Sequence, residues 1–152
     1  MNPEALQAAI YSRLTNDAAL NNLLSRQVRP DGSKGDGPAV YGHVPDAVDV
    51  GDKNSENFPY VVIGEDTNID FDTDTSLGSE STVTIHQWSR FRGRSEVKKI
   101  QKAIYDALNR AELTISGRHL VDSIWEFAET TLERDGKTYH GVMRFRVTTE
   151  EQ

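Results

Sequence analysis

Apolar positions along the chain switch between two periods. Leu6, Ile10 and Leu14 recur four residues apart with Ala9 beside them, which predicts a short amphipathic helix. Asn2 followed by Pro3 reads as its N-cap and first helical residue. Thr15-Asn16-Asp17 interrupts the pattern and caps a second short helical turn that buries Leu20, Leu23 and Leu24. Pro59 to Glu65 and Thr82 to Phe91 are rich in β-branched and aromatic residues and read as strands. The period then returns to helical: Val97, Ile100, Ala103, Ile104, Ala107 and Leu108 form one apolar stripe, with Ser95 placed to cap it. Asn109 to Gly117 ends that helix and turns, and strand patterning resumes from His119 to Thr148.

The last hairpin carries the sharpest geometric expectation. Asp135-Gly136 is a strong two-residue turn signal. If those two residues form the loop, Leu132 faces Tyr139, Ala128 faces Met143, Glu126 faces Phe145 and Ile124 faces Val147. That side is mostly apolar and lies under the helices. The other side sets Trp125 opposite Arg146 and Phe127 opposite Arg144, within cation–π reach. On the earlier strand Val83 and Ile85 share one face, and Thr84, His86, Trp88 and Arg90 share the other. Both tryptophans then fall on the side away from the helices, where tryptophan and arginine serve as interface anchors. A one-residue slip would exchange the faces.

Residues 27–57 are rich in Gly, Pro, Asp and Asn and read as one long loop or arm, with 30–38 as its flexible tip and Val40 to Pro45 as a short strand or anchored piece. The predicted fold class is therefore α+β: an antiparallel sheet of about four strands packed against two or three helices, with one long loop, in a single domain over 1–152.

Composition narrows the function. The 152 residues carry 24 acidic against 17 basic side chains, a net charge of −7, which argues against phosphate-backbone binding as the main activity. Cysteine is absent, so disulfides and thiolate chemistry are excluded. The start, Met-Asn-Pro-Glu, lacks a basic region followed by an apolar run, so no signal peptide is expected. No stretch approaches ~18 apolar residues, so no membrane span is expected.

Charge is concentrated in two places. Glu65, Asp66, Asp70, Asp72 and Asp74 form an acidic run. Its Asp-x-Asp-x-Asp core hints at calcium, but Thr75 stands where such a loop needs glycine and Ser81 where it needs a bidentate acid. A solvated acidic hairpin loop fits better. Arg90, Arg92, Arg94, Lys98, Lys99 and Lys102 form a basic run broken only by Glu96. Opposite patches on one molecule suit head-to-tail contacts that close into a ring. Pro45-Asp46 with Glu96-Val97-Lys98 matches by letter a metal-dependent nuclease pattern, although Glu96 falls in the first turn of a helix, where the helix dipole accounts for it. His43, His86, His119 and His140 share no metal-ligand spacing, and no nucleophile elbow or phosphate loop is present. No catalytic, cofactor or metal residue is assigned.

Several segments together carry a resemblance. They are Leu6 to Tyr11, Asp17-Ala18-Ala19-Leu20, Val40-Tyr41 with Val44-Pro45, Phe58 to Gly64, Thr84 to Arg90, Gly93 to Lys98, and His140 to Arg146. The chain resembles the tail-completion or tail-terminator family of long non-contractile-tailed phages and related gene transfer agents. The likeness spans nearly the whole chain; the stretch 30–38 is longer than the family pattern. It implies a virion protein assembled in the bacterial cytoplasm, forming a homo-hexameric ring at the head-proximal end of the tail tube. Such a ring ends polymerisation of the tail tube protein and joins a head-side connector or stopper, with DNA only passing through its lumen. Neither membrane nor cofactor is implied. On this resemblance Trp88, Arg90, Arg92, Arg94, Trp125, Phe127, Arg144 and Arg146 are the candidate subunit or ring contacts, and Glu65, Asp66, Asp70, Asp72 and Asp74 the candidate lumen or inter-ring loop. Another neck protein, such as a stopper, is the near alternative. A metal-dependent nuclease using Asp46, Glu96 and Lys98 is the alternative of a different class.

Overall fold

The computed structural model describes residues 2–45, 48 and 56–152. Among these residues three helices and seven strands follow in the order α1 (Pro3–Thr15), α2 (Ala18–Leu23), β1 (Arg26–Val28), β2 (Lys34–Pro38), β3 (Val40–Tyr41), β4 (Tyr60–Asp70), β5 (Gly78–Ser89), α3 (Ser95–Leu108), β6 (Arg118–Leu132) and β7 (Tyr139–Glu151). The main sheet runs β3-β4-β5-β7-β6, antiparallel except for the β3–β4 pair. β1 and β2 form a separate antiparallel ribbon. No helix among the described residues is long and apolar enough to cross a membrane.

Local chemistry explains the helices. The Asn2 side chain accepts from the Ala5 N–H and Pro3 opens α1, while Asp17 accepts from the Leu20 N–H to start α2. All six residues of the α3 stripe are buried. Ser95 does not cap α3: Arg94 holds the cap position with no side-chain bond, and Glu96 instead accepts from the Ser89 hydroxyl at 2.7 Å. The helix start is thereby tied to the end of β5. Arg13 of α1 donates to the Ala107 carbonyl at 3.0 Å and ties α1 to the last turn of α3.

The helices cover one face of the sheet. Val83 and Ile85 of β5 and Met143, Phe145 and Val147 of β7 bury there against Leu6, Ile10, Leu14, Ile100, Ile104 and Leu108. Gln87 is fully buried among them; its amide donates to the Ile85 carbonyl and its carbonyl accepts from Gln101 at 3.1 Å. Gly141 makes that pair fit. A Cβ at this position would lie 2.4 Å from Gln87 Oε1 and 2.6 Å from Val97 Cγ1.

Several expectations are corrected by the sheet. Residues 27–57 are not one loop: β1, β2 and β3 occupy part of them, and 30–38 contains β2. Tyr41 anchors the segment, accepting from the Val28 N–H at 2.8 Å inside a small core with Val28, Ala39 and Val48. Burial raises the Tyr41 phenol above its ordinary range. β4 and β5 also run further than their β-branched segments, because backbone pairing through Ile69↔Glu80 and Asp70↔Ser79 carries Asp and Ser into the ladder. Glu65, Asp66 and Asp70 are therefore strand residues, and only Asp72 and Asp74 lie in the turn.

The β6–β7 hairpin is right at its tip and shifted at its base. Leu132↔Tyr139, Ala128↔Met143 and Phe127↔Arg144 pair as the turn predicts. The loop itself is four residues, 134–137: Glu133 donates its N–H to the Thr138 carbonyl at 2.8 Å, and Gly136 at φ 72° closes the turn. Widening the loop equally on both sides preserves the register. A bulge between Trp125 and Phe127 then shifts it by one, so Trp125 pairs Phe145, Ile124 pairs Arg146 and Ser123 pairs Val147. Neither the Glu126–Phe145 and Ile124–Val147 pairs nor the Trp125–Arg146 pair forms. The apolar β6 side does not lie wholly under the helices either, since Ala128 and Leu132 on this edge strand are exposed.

At the opposite end of the sheet Arg118 is buried to 6% exposure. Its guanidinium donates to the Thr149 hydroxyl and carbonyl and to the Ser79 hydroxyl, and lies 3.8 Å from Glu151. One side chain thus joins the ends of β5, β6 and β7.

Two outcomes follow. Gly141→Ala forces Val97 and Gln87 apart and is expected to cost about 1–3 kcal/mol, the usual range for overpacking, measured by urea unfolding. Asp135 accepts from the Lys137 and Thr138 N–H groups at 2.9 Å each and from the Thr138 hydroxyl at 2.6 Å. The Thr138 hydroxyl first, and the two N–H groups after it, lower its pKa from 3.8 to about 2. A depressed carboxylate stabilises the fold above its unfolded-state value and loses that contribution as pH falls towards its folded one. Unfolding midpoints between about pH 4 and about pH 2 should fall less steeply in Asp135→Asn than in the parent chain; equal slopes would contradict the assignment.

Candidate assembly interface

The even-numbered residues of β5 and β7 turn away from the helices and build an outer face. Trp88, Arg144, Arg146 and Phe127 all lie on it, as the alternation predicts. Arg144 stacks on the Phe127 ring with its guanidinium carbon 4.8 Å from the centroid. Glu126, carried outward by the bulge, sits 3.4 Å from Arg144 and 3.8 Å from Arg146. These are half-exposed pairs, worth roughly 0–1 kcal/mol each, so they orient the arginines more than they stabilise the fold.

Trp125 is not on this face. The one-residue shift turns it to the helix side, where it meets Tyr105 of α3 edge-on at 5.6 Å and 79°. Its backbone N–H donates to Asn109 at 2.9 Å. At 38% exposure it remains a surface residue, but on the rim of the helical layer.

At one end of the outer face Phe58, Tyr60 and Trp88 line an open groove of about 380 Å³, bordered by Arg90, Glu133, Arg134, Asp135 and Thr138. Arg90 lies over the Phe58 ring at 4.4 Å and donates to the Thr138 hydroxyl at 3.2 Å. Arg94 lies 5.5 Å from the Tyr139 ring. Arg92 is exposed, as are Lys98, Lys99 and Lys102 on the adjoining face of α3. The basic run of the sequence thus forms one end of the molecule. The aromatic part of the groove was missed because Phe58 and Tyr60 sit at a strand start; their proximity to Trp88 follows only from the Tyr60↔Trp88 register.

The Asp70, Asp72 and Asp74 part of the acidic run occupies the far end of the same two strands, roughly 35 Å away at the usual strand rise, while Glu65 and Asp66 lie midway along β4. The turn is held by Thr73, which exchanges bonds with Ser76, and by Asp72, which accepts from the Gly78 N–H at 2.9 Å. Asp70 and Asp74 are exposed. Interleaved with them are Ile69, Phe71 and Leu77, exposed to 60%, 46% and 55%. This apolar component was visible in the sequence as Ile-Asp-Phe-Asp but was hidden by the charge around it. Asp66 accepts from Asn68 at 3.0 Å, and Glu65 points back along the outer face to His86.

Other candidate chemistry does not assemble. Among the described residues no group of three or more His, Asp or Glu is placed to hold a metal ion. Glu96 is engaged by Ser89 and Lys98 is exposed, while Asp46 lies outside the described residues. His86 and His140 share the outer face, their ring centroids 5.0 Å apart and the planes within 21° of each other.

A family model described as tail completion protein gp17 matches residues 8–150. The tail completion protein gp17 of Bacillus phage SPP1 is 32% identical over 91 residues, covering 60% of this chain and 67% of that protein. Among solved structures, a chain of the virion of a native gene transfer agent particle superposes with a TM-score of 0.76 at 26% identity, over 97% of this chain and 96% of that one. The structure of the bacteriophage SPP1 gp17 protein shares the fold at a TM-score of 0.54 and 24% identity, over 95% and 88% of the two chains.

Proposed function

The chain belongs to the tail completion protein gp17 family, and from that premise we propose that it forms a ring capping a phage-like tail tube. It is a structural virion component and not an enzyme, so its work is binding. In this reading one ring face ends polymerisation of the tube protein and the other docks the head-side connector. Residues 1–152 act as one unit, six copies close the ring, and DNA passes through the lumen.

The observation that carries the reading is the near-complete correspondence with a chain resolved inside an intact virion particle. The charge layout supports ring closure. The acidic, partly apolar tip of the β4–β5 hairpin and the basic end at Arg90, Arg92 and Arg94 are opposite in sign and set at opposite ends of the same strands. A head-to-tail contact between copies brings unlike ends together and repeats around a closed ring. Asp70, Asp72 and Asp74 meet the neighbour's arginines, with Ile69, Phe71 and Leu77 supplying the apolar area that charge alone lacks. Trp88, Phe127, Arg144 and Arg146 contact the sister copy or the next ring, and Trp125 does so from the helical rim. Glu65 and Asp66, further along the strand, face the lumen, where like charge keeps DNA from adhering.

The double substitution Arg92→Glu and Arg94→Glu tests the contact. Rim charges act on association rate and salt dependence. Tails assembled with the variant are expected to show a broadened length distribution by electron microscopy, and low salt should no longer favour cross-linking between copies. Tails of uniform length with unchanged cross-linking would overturn the head-to-tail assignment.

A further inference from the structure

Four titratable side chains form an unbroken line across the outer face. Glu65 Oε1 on β4 lies 2.9 Å from His86 Nε2 on β5. His86 Nδ1 lies 2.7 Å from His140 Nε2 on β7. His140 Nδ1 lies 3.1 Å from Glu133 Oε1, just past the end of β6. Both imidazoles are more than four-fifths covered at their side chains, and Trp88 lies flat on His140 at 3.9 Å and 4°. Gly64 leaves the room for this, since a Cβ there would sit 2.7 Å from the His86 ring.

The line has a fixed proton requirement. Each of its three contacts needs one hydrogen. Ionised carboxylates only accept, so all three hydrogens come from ring nitrogens. Two neutral imidazoles bring two N–H groups. The geometry is satisfied only when the pair carries three, that is, one proton beyond two neutral rings. With one fewer, a contact sets lone pair against lone pair. With one more, the His86 Nδ1–H points at the His140 Nε2–H.

We propose that Glu65, His86, His140 and Glu133 form a one-proton latch across four strands, closed only while the histidine pair holds a single shared positive charge, and that it fixes Trp88 at the edge of the aromatic groove.

The electrostatics of the site agree. The hydrogen bond from His86 lowers the Glu65 carboxyl, which keeps it an acceptor. Burial first, and the charge on His86 second, hold His140 below the ordinary imidazole range against the pull of Glu133. A depressed His140 resists the second proton. The remaining groups facing the line do not supply the missing hydrogen: Thr131 donates to the His140 carbonyl, Arg144 is turned to Glu126, and Asp135 is occupied by its own turn. Arg90 lies over Phe58 and on Thr138.

The latch is independent of the ring reading and is tested on the free chain. Proton–nitrogen correlation spectra of the imidazoles, recorded from about pH 4 to about pH 9 across the ordinary imidazole range, should show His86 and His140 releasing protons in two separated steps. Between the steps three of their four ring nitrogens should be protonated. His43 and His119, outside the line, serve as controls. A single common step would overturn the latch. In Glu65→Gln/Glu133→Gln the shared proton is expected to leave at a lower pH; an unmoved step would also overturn it. In a Trp125→Phe background, Trp88 emission should be level on the plateau and change at both edges; emission that changes at one edge only would contradict a latch holding Trp88.

Discussion

The unbroken ladder between β5 and β7 is the constraint on which the rest of the structure depends. It pairs every residue from Gly78↔Glu150 to Ser89↔Tyr139 with no irregularity, in contrast to the β4–β5 and β6–β7 ladders beside it. Because side chains alternate, this one register decides the fate of both faces. It sends Val83, Ile85, Met143, Phe145 and Val147 to the helices and His86, Trp88, His140, Arg144 and Arg146 to the outside. A slip of one residue would bury two arginines and expose Phe145, a cost of many kcal/mol against an ordinary total stability of about 5–15. The core thus fixes the outer face without touching it.

Irregularity is pushed to the flanking strands, where it has uses. β6 is a long edge strand, and a straight one would invite a second chain to pair along it. Its two bulges and the outward Glu126 disrupt that template. At the other edge β3 is only two residues long. With both edges blunted, the sheet offers little backbone for a second chain to pair with, and the surface it presents is one of side chains.

The helices and the sheet core were legible because periodicity records burial directly. The α3 stripe and the alternation in β5 and β7 needed nothing beyond local sequence. The reach of β4 and β5 was not legible, since Asp, Asn and Ser at 66–70 and 79–81 enter the ladder through backbone pairing and not through β-propensity. The β6 bulge was not legible either. Nothing in Trp125-Glu126-Phe127 announces an extra residue, and the shift pays off only in tertiary contacts, Trp125 on Tyr105 and Ser123 on the Leu108 carbonyl. For the candidate surfaces the residue types were readable and their grouping was not. Trp88 and the arginines were singled out correctly as outward, whereas the Glu–His–His–Glu line joins residues 65, 86, 133 and 140, whose adjacency exists only once four strands are in register.

Arg118 gives the acidic end of the molecule a property of its own. Its cation is enclosed 3.8 Å from Glu151 at the end of the sheet, and its donors hold the Thr149 carbonyl and the hydroxyls of Thr149 and Ser79. It works as a resident counterion, shielded from the solvent that screens exposed charge over about 8–10 Å. The Glu151 carboxylate is thereby offset without dependence on dissolved salt. The ends of β5, β6 and β7 that it joins can stay together in dilute media as well as in salt.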